Sequence, residues 1–220
     1  MRRLLIFGDS IMKGVIFENG RYRLCRGHDF SFLSDDGIAA ENYAKMGATI
    51  KTGLSLMQRR LGACDAETTV LLSFGGNDSN FDWARVSREP SLVHPPAVPE
   101  EEFIRTYQAA IGLARERGAQ VVACTLFPLS PERYFRTISA GNDAAAIAAW
   151  LGDKAQLYRW QEYYNALVCR LTRESGCALL DLRASFLRRN DLPRLICDDG
   201  IHPTQEGHDH IHRFLSDALR

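Results

Sequence analysis

At 220 residues the chain is long enough for one α/β domain with a full core and short for two. Lys plus Arg number 27 against 27 Asp plus Glu, and this zero net charge gives no support for wholesale phosphate-backbone binding, which requires a concentrated positive field, although it leaves room for a local basic patch. With 45% hydrophobic and 25% charged residues the composition is that of an ordinary globular protein, and no stretch approaches the ~20 apolar residues of a membrane span.

Met-Arg-Arg at the N-terminus precedes only four apolar residues, Leu4 to Phe7, fewer than the roughly 7–15 of a secretory core, so they read as a first buried strand. Ile50 to Leu61 places Leu54, Met57 and Leu61 three or four apart, a helical spacing. Thr68 to Phe74 is a second apolar run. The stretch of about 80–99 contains Pro90, Pro95, Pro96 and Pro99 and reads as an irregular insertion. Glu101 to Arg117 is helical, with Ile104, Tyr107, Ile111 and Ala114 on one face and Gly118 as its stop. Gln120 to Phe127 is the third apolar run, followed by a second irregular insertion at 128–153 with Pro128, Pro131, Gly141 and a short Ala-rich piece from Asp143 to Leu151. Lys154 to Glu174 is again helical through Leu157, Trp160, Tyr164, Leu167 and Leu171, and Gly176 closes it. Cys177 to Leu182 is the fourth apolar run, and a last helix from about Thr204 carries Ile211, Phe214 and Leu215.

Each apolar run has the length of a strand buried on both faces. Their alternation with helices argues for one α/β domain over 1–220, built on a parallel sheet covered on both sides, with ligands held outside the carboxyl ends of the strands. The six cysteines are scattered without a CxxC pair and read as reduced core thiols, which fits a cytoplasmic protein.

Three polar strings follow or precede these elements. Gly8-Asp9-Ser10 comes directly after the first strand, where a hydroxyl stands at the ligand edge of the sheet, although Asp9 or Ser10 at that place also serves as a plain helix cap. Gly75-Gly76-Asn77-Asp78 follows the second strand; an Asn amide there can donate to a developing oxyanion, and the same residue types also make ordinary turns. Asp199-Gly200-Ile201-His202-Pro203 precedes the last helix and offers a base with an orienting carboxylate three residues away, or a polar turn with Pro203 in the first turn.

In order and in position these strings, with Gly47 within Asn42 to Thr49, resemble the four sequence blocks of the SGNH (GDSL-like) hydrolases, over Leu4 to about His208. Ile11 stands where the Gly-Asp-Ser-Leu subgroup has leucine, and the 128–153 insertion lies outside the blocks. The resemblance implies a three-layer α/β/α sandwich with a flavodoxin-like parallel sheet, the SGNH hydrolase fold. It also implies a serine esterase without cofactor, with Ser10 as nucleophile, His202 as base and Asp199 as its orienting acid. The oxyanion hole would be the backbone N–H groups of Ser10 and Gly47 and the side-chain amide of Asn77. Asp9, and the aromatic Phe81, Trp83 and Tyr134 from the irregular stretches, are the candidate substrate-binding residues.

The substrate expected is a small-molecule or carbohydrate acyl ester, with O-acetyl groups on a sugar the leading example. An acyltransferase or thioesterase would use the same triad, and a non-catalytic binding protein would share its fold. A nucleotide-binding protein lacks its Gly-rich phosphate loop here. No nucleic-acid or membrane partner is expected, and a homo-oligomer is compatible with the composition. His208 and His212 share a helix face at a chelating spacing, but the neighbouring sequence offers no third ligand, so no metal is expected. His28 and His94 fall in loops without an identifiable partner.

Overall fold

The architecture follows from the two-residue period of its first strand. In the computed structural model, which describes residues 2–220, β1 (Arg2–Gly8) sends Leu5 and Phe7 to one face and Leu4 and Ile6 to the other, all four buried. The chain continues through α1 (Ser10–Lys13), a hairpin of β2 (Val15–Glu18) and β3 (Arg21–Leu24), a short 3-10 helix (Ser31–Asp36), β4 (Ile38–Asn42) and α2 (Ile50–Arg60). It then forms β5 (Thr68–Ser73), α3 (Trp83–Arg88), α4 (Glu100–Glu116) and β6 (Gln120–Cys124). The remainder is α5 (Pro131–Ser139), α6 (Ala144–Leu151), α7 (Ala155–Glu174), β7 (Ala178–Leu180), α8 (Leu182–Leu187), α9 (Leu192–Leu195) and α10 (Gln205–Leu219).

Five strands form one parallel sheet in the order β4-β1-β5-β6-β7. Counting only these strands, this is the flavodoxin-like order 2-1-3-4-5, so the topological switch lies between β1 and β5. On one face Leu5, Phe7, Val70 and Leu72 pack under α2, α4 and α7, through residues such as Met57, Phe103, Tyr107 and Tyr164. On the other, Leu4, Ile6 and Leu71 meet Phe186 of α8 and Ile211 and Leu215 of α10. Each such side chain withdrawn from water contributes about 1.5–3 kcal/mol, which makes β1 and β5 the rigid centre of the molecule. Among the described residues, no helix is long and apolar enough to cross a membrane.

The structure departs from the sequence reading in five places, the first being the stretch of about 80–99, expected to be irregular, in which Trp83–Arg88 form α3. β4 is an edge strand in which only Ile38 is both large and buried, so no apolar run marks it. β7 is the opposite edge; its residues are exposed or half-buried rather than covered on both faces, and the strand is three residues long. The β2–β3 hairpin turns through Asn19 and Gly20, both at positive φ (51° and 73°), the signature of a tight type I′ turn. The 128–153 insertion is not irregular: α5 and α6 occupy most of it, and with α3 they close a third apolar cluster around Trp83, Tyr134 and Ile147.

Gly53, in the middle of α2, lies so close to the ring of Phe74 that a Cβ would fall 2.3 Å from its tip. Alanine in a helix interior ordinarily gains about 1 kcal/mol over glycine. Here overpacking against a ring that is 1% exposed reverses the sign. Gly53→Ala is expected to lower the unfolding free energy by about 1–2 kcal/mol in urea denaturation, and equal or greater stability would show that Phe74 can move aside.

Candidate active site

The end of β1 delivers Ser10. Asp9 caps the first turn of α1 by accepting from the Ile11 N–H at 2.9 Å, and this fixes the backbone at Ser10, a buried residue facing the switch point. The loop between α9 and α10 delivers the other two polar groups. It is closed by hydrogen bonds from Cys197 N–H to the His202 carbonyl (2.8 Å) and from Gly200 N–H to the Cys197 carbonyl (3.0 Å). His202 Nε2 stands 2.8 Å from Ser10 Oγ, and His202 Nδ1 2.5 Å from Asp199 Oδ2. Asp199 also accepts from the backbone N–H groups of His202 and Ile201 through its other oxygen. Because a carboxylate only accepts, Nδ1 carries the imidazole proton and Nε2 is left to receive one from the hydroxyl.

The oxyanion-hole candidates meet less directly. Asn77 lines the same cavity as Ser10, and its amide donates one hydrogen to the Ala48 carbonyl at 3.0 Å, which leaves the second for the cavity. Gly47 is exposed at φ +72° and does not line the cavity; it is tied to Asn77 only through its neighbour Ala48. Asp78 staples the same two loops from beneath, its Oδ1 accepting from the first N–H of α2, at Ile50 (2.9 Å).

The cavity beside Ser10 has a volume of about 410 Å³. Phe81, Trp83 and Tyr134, singled out from the sequence, all line it, together with Trp150, Leu157 and Trp160. Asp9 lines it too, but one oxygen is committed to capping α1. The aromatic rings brace one another edge to face, Phe81 against Trp83 at 5.5 Å and against Trp150 at 5.0 Å. Asn80 Oδ1 accepts from Trp83 Nε1 (2.8 Å) and from the Tyr134 hydroxyl (2.6 Å), so a single amide sets the wall. His94 also faces the cavity, with Nε2 against the Glu89 carbonyl and its ring edge-on to Trp150.

Three contributors escaped the sequence reading. Tyr22, on the hairpin, sets its ring edge-on to His202 at 5.4 Å, covering the imidazole from the solvent side; the Asn19-Gly20 turn between alternating residues was the available signal. Asn80 stands beside the Gly-Gly-Asn-Asp string and carried no mark of its own. The third is α5: Arg133 Nη1 donates to the Ile196 carbonyl (2.5 Å) and Thr137 Oγ1 to that of Asp199 (3.0 Å). At Gly200 (φ +83°) a Cβ would lie 2.3 Å from the Tyr134 nitrogen, so only glycine lets the loop close against α5. The metal-ligating side chains that converge in the described structure do so outside this cavity, at Cys25, His208 and His212.

Two carboxyl groups beneath the site are displaced upward. Burial pushes Asp9 up to about 6, against the opposing pull of the Ile11 N–H and the His202 charge. Burial pushes Asp78 up to about 7, with the Ile50 N–H opposing and the charge of Asp9 adding, and Asp78 Oδ2 has no hydrogen-bond partner among the described residues. A carboxyl whose folded pKa exceeds its unfolded value favours the folded state while protonated. That stability is fully present below about pH 4 and is lost as pH rises through 7. Asp78→Asn keeps an acceptor for Ile50 and removes this loss. From pH 4 to pH 8 its stability is expected to gain on that of the wild type by an amount on the order of a few kcal/mol, measured by denaturation at each pH; parallel stability curves would contradict the assignment.

A family model described as the GDSL-like lipase/acylhydrolase family matches residues 6–210. No protein of curated function matches by sequence. Among solved structures, a member of the lipolytic protein G-D-S-L family from Veillonella parvula is 15% identical with a TM-score of 0.67, covering 100% of this chain and 98% of that one. An alpha/beta hydrolase enzyme from the metagenome of Lake Arreo is 20% identical with a TM-score of 0.65, covering 100% and 96%. The psychrotrophic esterase EstA of Pseudoalteromonas is 14% identical with a TM-score of 0.61, covering 100% and 97%. At these identities the structures speak to the fold.

Proposed function

This chain belongs to the GDSL-like lipase/acylhydrolase family, and from that premise we propose that it cleaves short acyl esters through an acyl-enzyme formed on Ser10. The observation that carries the proposal is the unbroken relay from Ser10 Oγ through His202 to Asp199, at 2.8 and 2.5 Å. Ser10 Oγ attacks the acyl carbon while His202 Nε2 takes its proton, and Asp199 holds the resulting imidazolium. The negative charge on the acyl oxygen is received by the N–H group of Ser10 and by the free hydrogen of Asn77; Gly47, the third donor implied by the resemblance, lies outside the cavity lining and is given no part in this step. The acyl–oxygen bond then breaks and the alcohol leaves with the proton from His202. Water, deprotonated by the same imidazole, releases the acid and restores the serine.

The cavity has room for much more than a short acyl group, and we assign the remaining space to the alcohol half of the ester. At about 410 Å³ it is far larger than an acetyl group needs, and braced aromatic faces with the free amide hydrogens of Asn80 suit a ring bearing hydroxyls. The substrate class we propose is therefore an O-acetylated carbohydrate.

Ser10→Ala is expected to abolish turnover and labelling by a fluorophosphonate while leaving the fold intact. Wild-type hydrolysis by that variant would end the assignment, and a wild-type Ser10 inert to the probe would point to a binding protein. Asn77→Ala should lose ~100-fold or more in kcat, with circular dichroism unchanged. Acetylated sugars, p-nitrophenyl esters from acetate to palmitate and an acyl-CoA, run side by side, test the substrate. Highest kcat/KM on acetylated sugars is expected; preference for palmitate removes the carbohydrate proposal, and exclusive use of the thioester removes ester hydrolysis.

A further inference from the structure

Beyond the end of β3 the chain folds back beneath its own hairpin. Cys25 donates its N–H to the Gly14 carbonyl at 2.7 Å, and its buried thiol meets the one face of α10 that carries both His208 and His212. The sulfur and one nitrogen from each ring lie within 4.8 Å of one another. Sequence spacing shows the two histidines as a pair; only the fold supplies the third donor, from the far end of the chain.

Both rings are held in position by contacts that ester hydrolysis does not use. His208, buried, has Nε2 at 3.0 Å from the Val15 carbonyl. A carbonyl only accepts, so Nε2 carries the proton and Nδ1 keeps its lone pair. Metal-bound histidines are oriented by this kind of second hydrogen bond. The His212 ring packs against Phe32 (centroids 4.6 Å apart) and Phe30 (5.9 Å), and over Gly27, where a Cβ would come within 2.9 Å of it.

A thiol with two imidazoles matches a borderline-soft ion and disfavours Mg²⁺ or Ca²⁺, which take oxygen. Zn–S near 2.3 Å and Zn–N near 2.0–2.1 Å place tetrahedral donors about 3.3–3.6 Å apart. Closing the cluster onto an ion therefore takes a contraction of about 1 Å, and it falls to the half-buried His212, which is held by ring packing alone where His208 is also held by a hydrogen bond. We propose that Cys25, His208 and His212 form a Zn²⁺ site, with water as fourth ligand, that ties the base of the β2–β3 hairpin to α10. Binding replaces the thiol proton, which passes to solvent, with a Zn–S bond, and no electrons are transferred. Because the same hairpin sets Tyr22 against His202, the ion would hold that cover in place, a consequence that rests on the proposed role of His202.

The test is titration of chelator-stripped protein with Zn²⁺ against a chromophoric competitor, together with Co²⁺ as an optical probe. Cys25→Ser, His212→Ala and His202→Ala are run beside the wild type, with folding followed by circular dichroism. Expected are one equivalent bound, a thiolate-to-cobalt charge-transfer band, and a Tm that rises with Zn²⁺. Affinity should fall at least ~10-fold in Cys25→Ser and in His212→Ala, and be unchanged in His202→Ala. Absence of stoichiometric binding, or of the thiolate band in the wild type, overturns the proposal even should Cys25→Ser fail to fold. So does binding that survives both ligand substitutions or is lost in His202→Ala, which would place the ion on the imidazole beside Ser10. These readouts do not involve turnover, so failure of the hydrolase reading would leave them intact.

Discussion

An imidazole only 3% exposed, bridging a hydroxyl from one end of the chain to a carboxylate from the other, is the contact on which the rest of the candidate site depends. Buried polar groups cost several kcal/mol each unless they satisfy one another. Ser10, His202 and Asp199 do so only when the end of β1 and the loop before α10 meet within hydrogen-bond reach. Two features of the fold enforce that meeting. β1 is central in the sheet and cannot shift without exposing both faces of the core. α10 is locked against the second face by Ile211 and Leu215, so the loop that precedes it arrives at a fixed place.

How much of this was legible in the sequence depended on whether burial was local or built from afar. The apolar-run rule finds strands covered on both faces, which is why β1, β5 and β6 stood out. It fails at the sheet edges, where β4 needs only Ile38 for its core contact, and it overstates β7. The hairpin was missed for a different reason: its residues are largely exposed, and its signal lay in the Asn19-Gly20 turn rather than in hydrophobicity. In the site, the short polar strings were ambiguous one by one, each also fitting a cap or a turn, and only their joint order, through the family resemblance, singled out Ser10, Asp199 and His202. Asn80, Arg133 and Thr137 were not readable, since each acts through a contact that no local pattern encodes.

The 128–153 segment shows what such contacts accomplish. Two prolines at its start and Gly141 in its middle suggest irregularity, yet Tyr134, Phe135 and Ile138 fall at helical spacing and bury one face of α5. That helix has two jobs. It presents Tyr134 to the cavity wall, where Asn80 fixes it, and it clamps the loop bearing Asp199 and His202 through Arg133, Thr137 and the Ser130 N–H on the Gly200 carbonyl. The wall that would select a substrate and the loop that would activate the nucleophile are therefore one mechanical unit. A substitution in α5 that shifts one will shift the other, so changes in preference and in turnover at this helix are physically coupled.

The floor of the site shows where that rigidity is obtained and what it costs. Asn77 and Asp78, adjacent in sequence, hold the neighbouring loop at two points: Asn77 through the Ala48 carbonyl, Asp78 through the Ile50 N–H. The first bond engages the Asn77 amide itself and leaves its second hydrogen uncommitted, while the second holds the backbone next to it against the same loop. Asp9 does the same for Ser10 from the other side by capping α1. An uncharged acceptor would serve either cap at less cost in desolvation, and carboxylates at these positions are displaced upward because burial penalises their charge. What they supply in exchange is a stronger, charge-assisted hold on a backbone N–H whenever they are ionised. On the proposed reading, donors that must not reorganise as charge develops on a substrate need a firm hold beneath them, and that would account for carboxyl acceptors as costly to bury as Asp9 and Asp78.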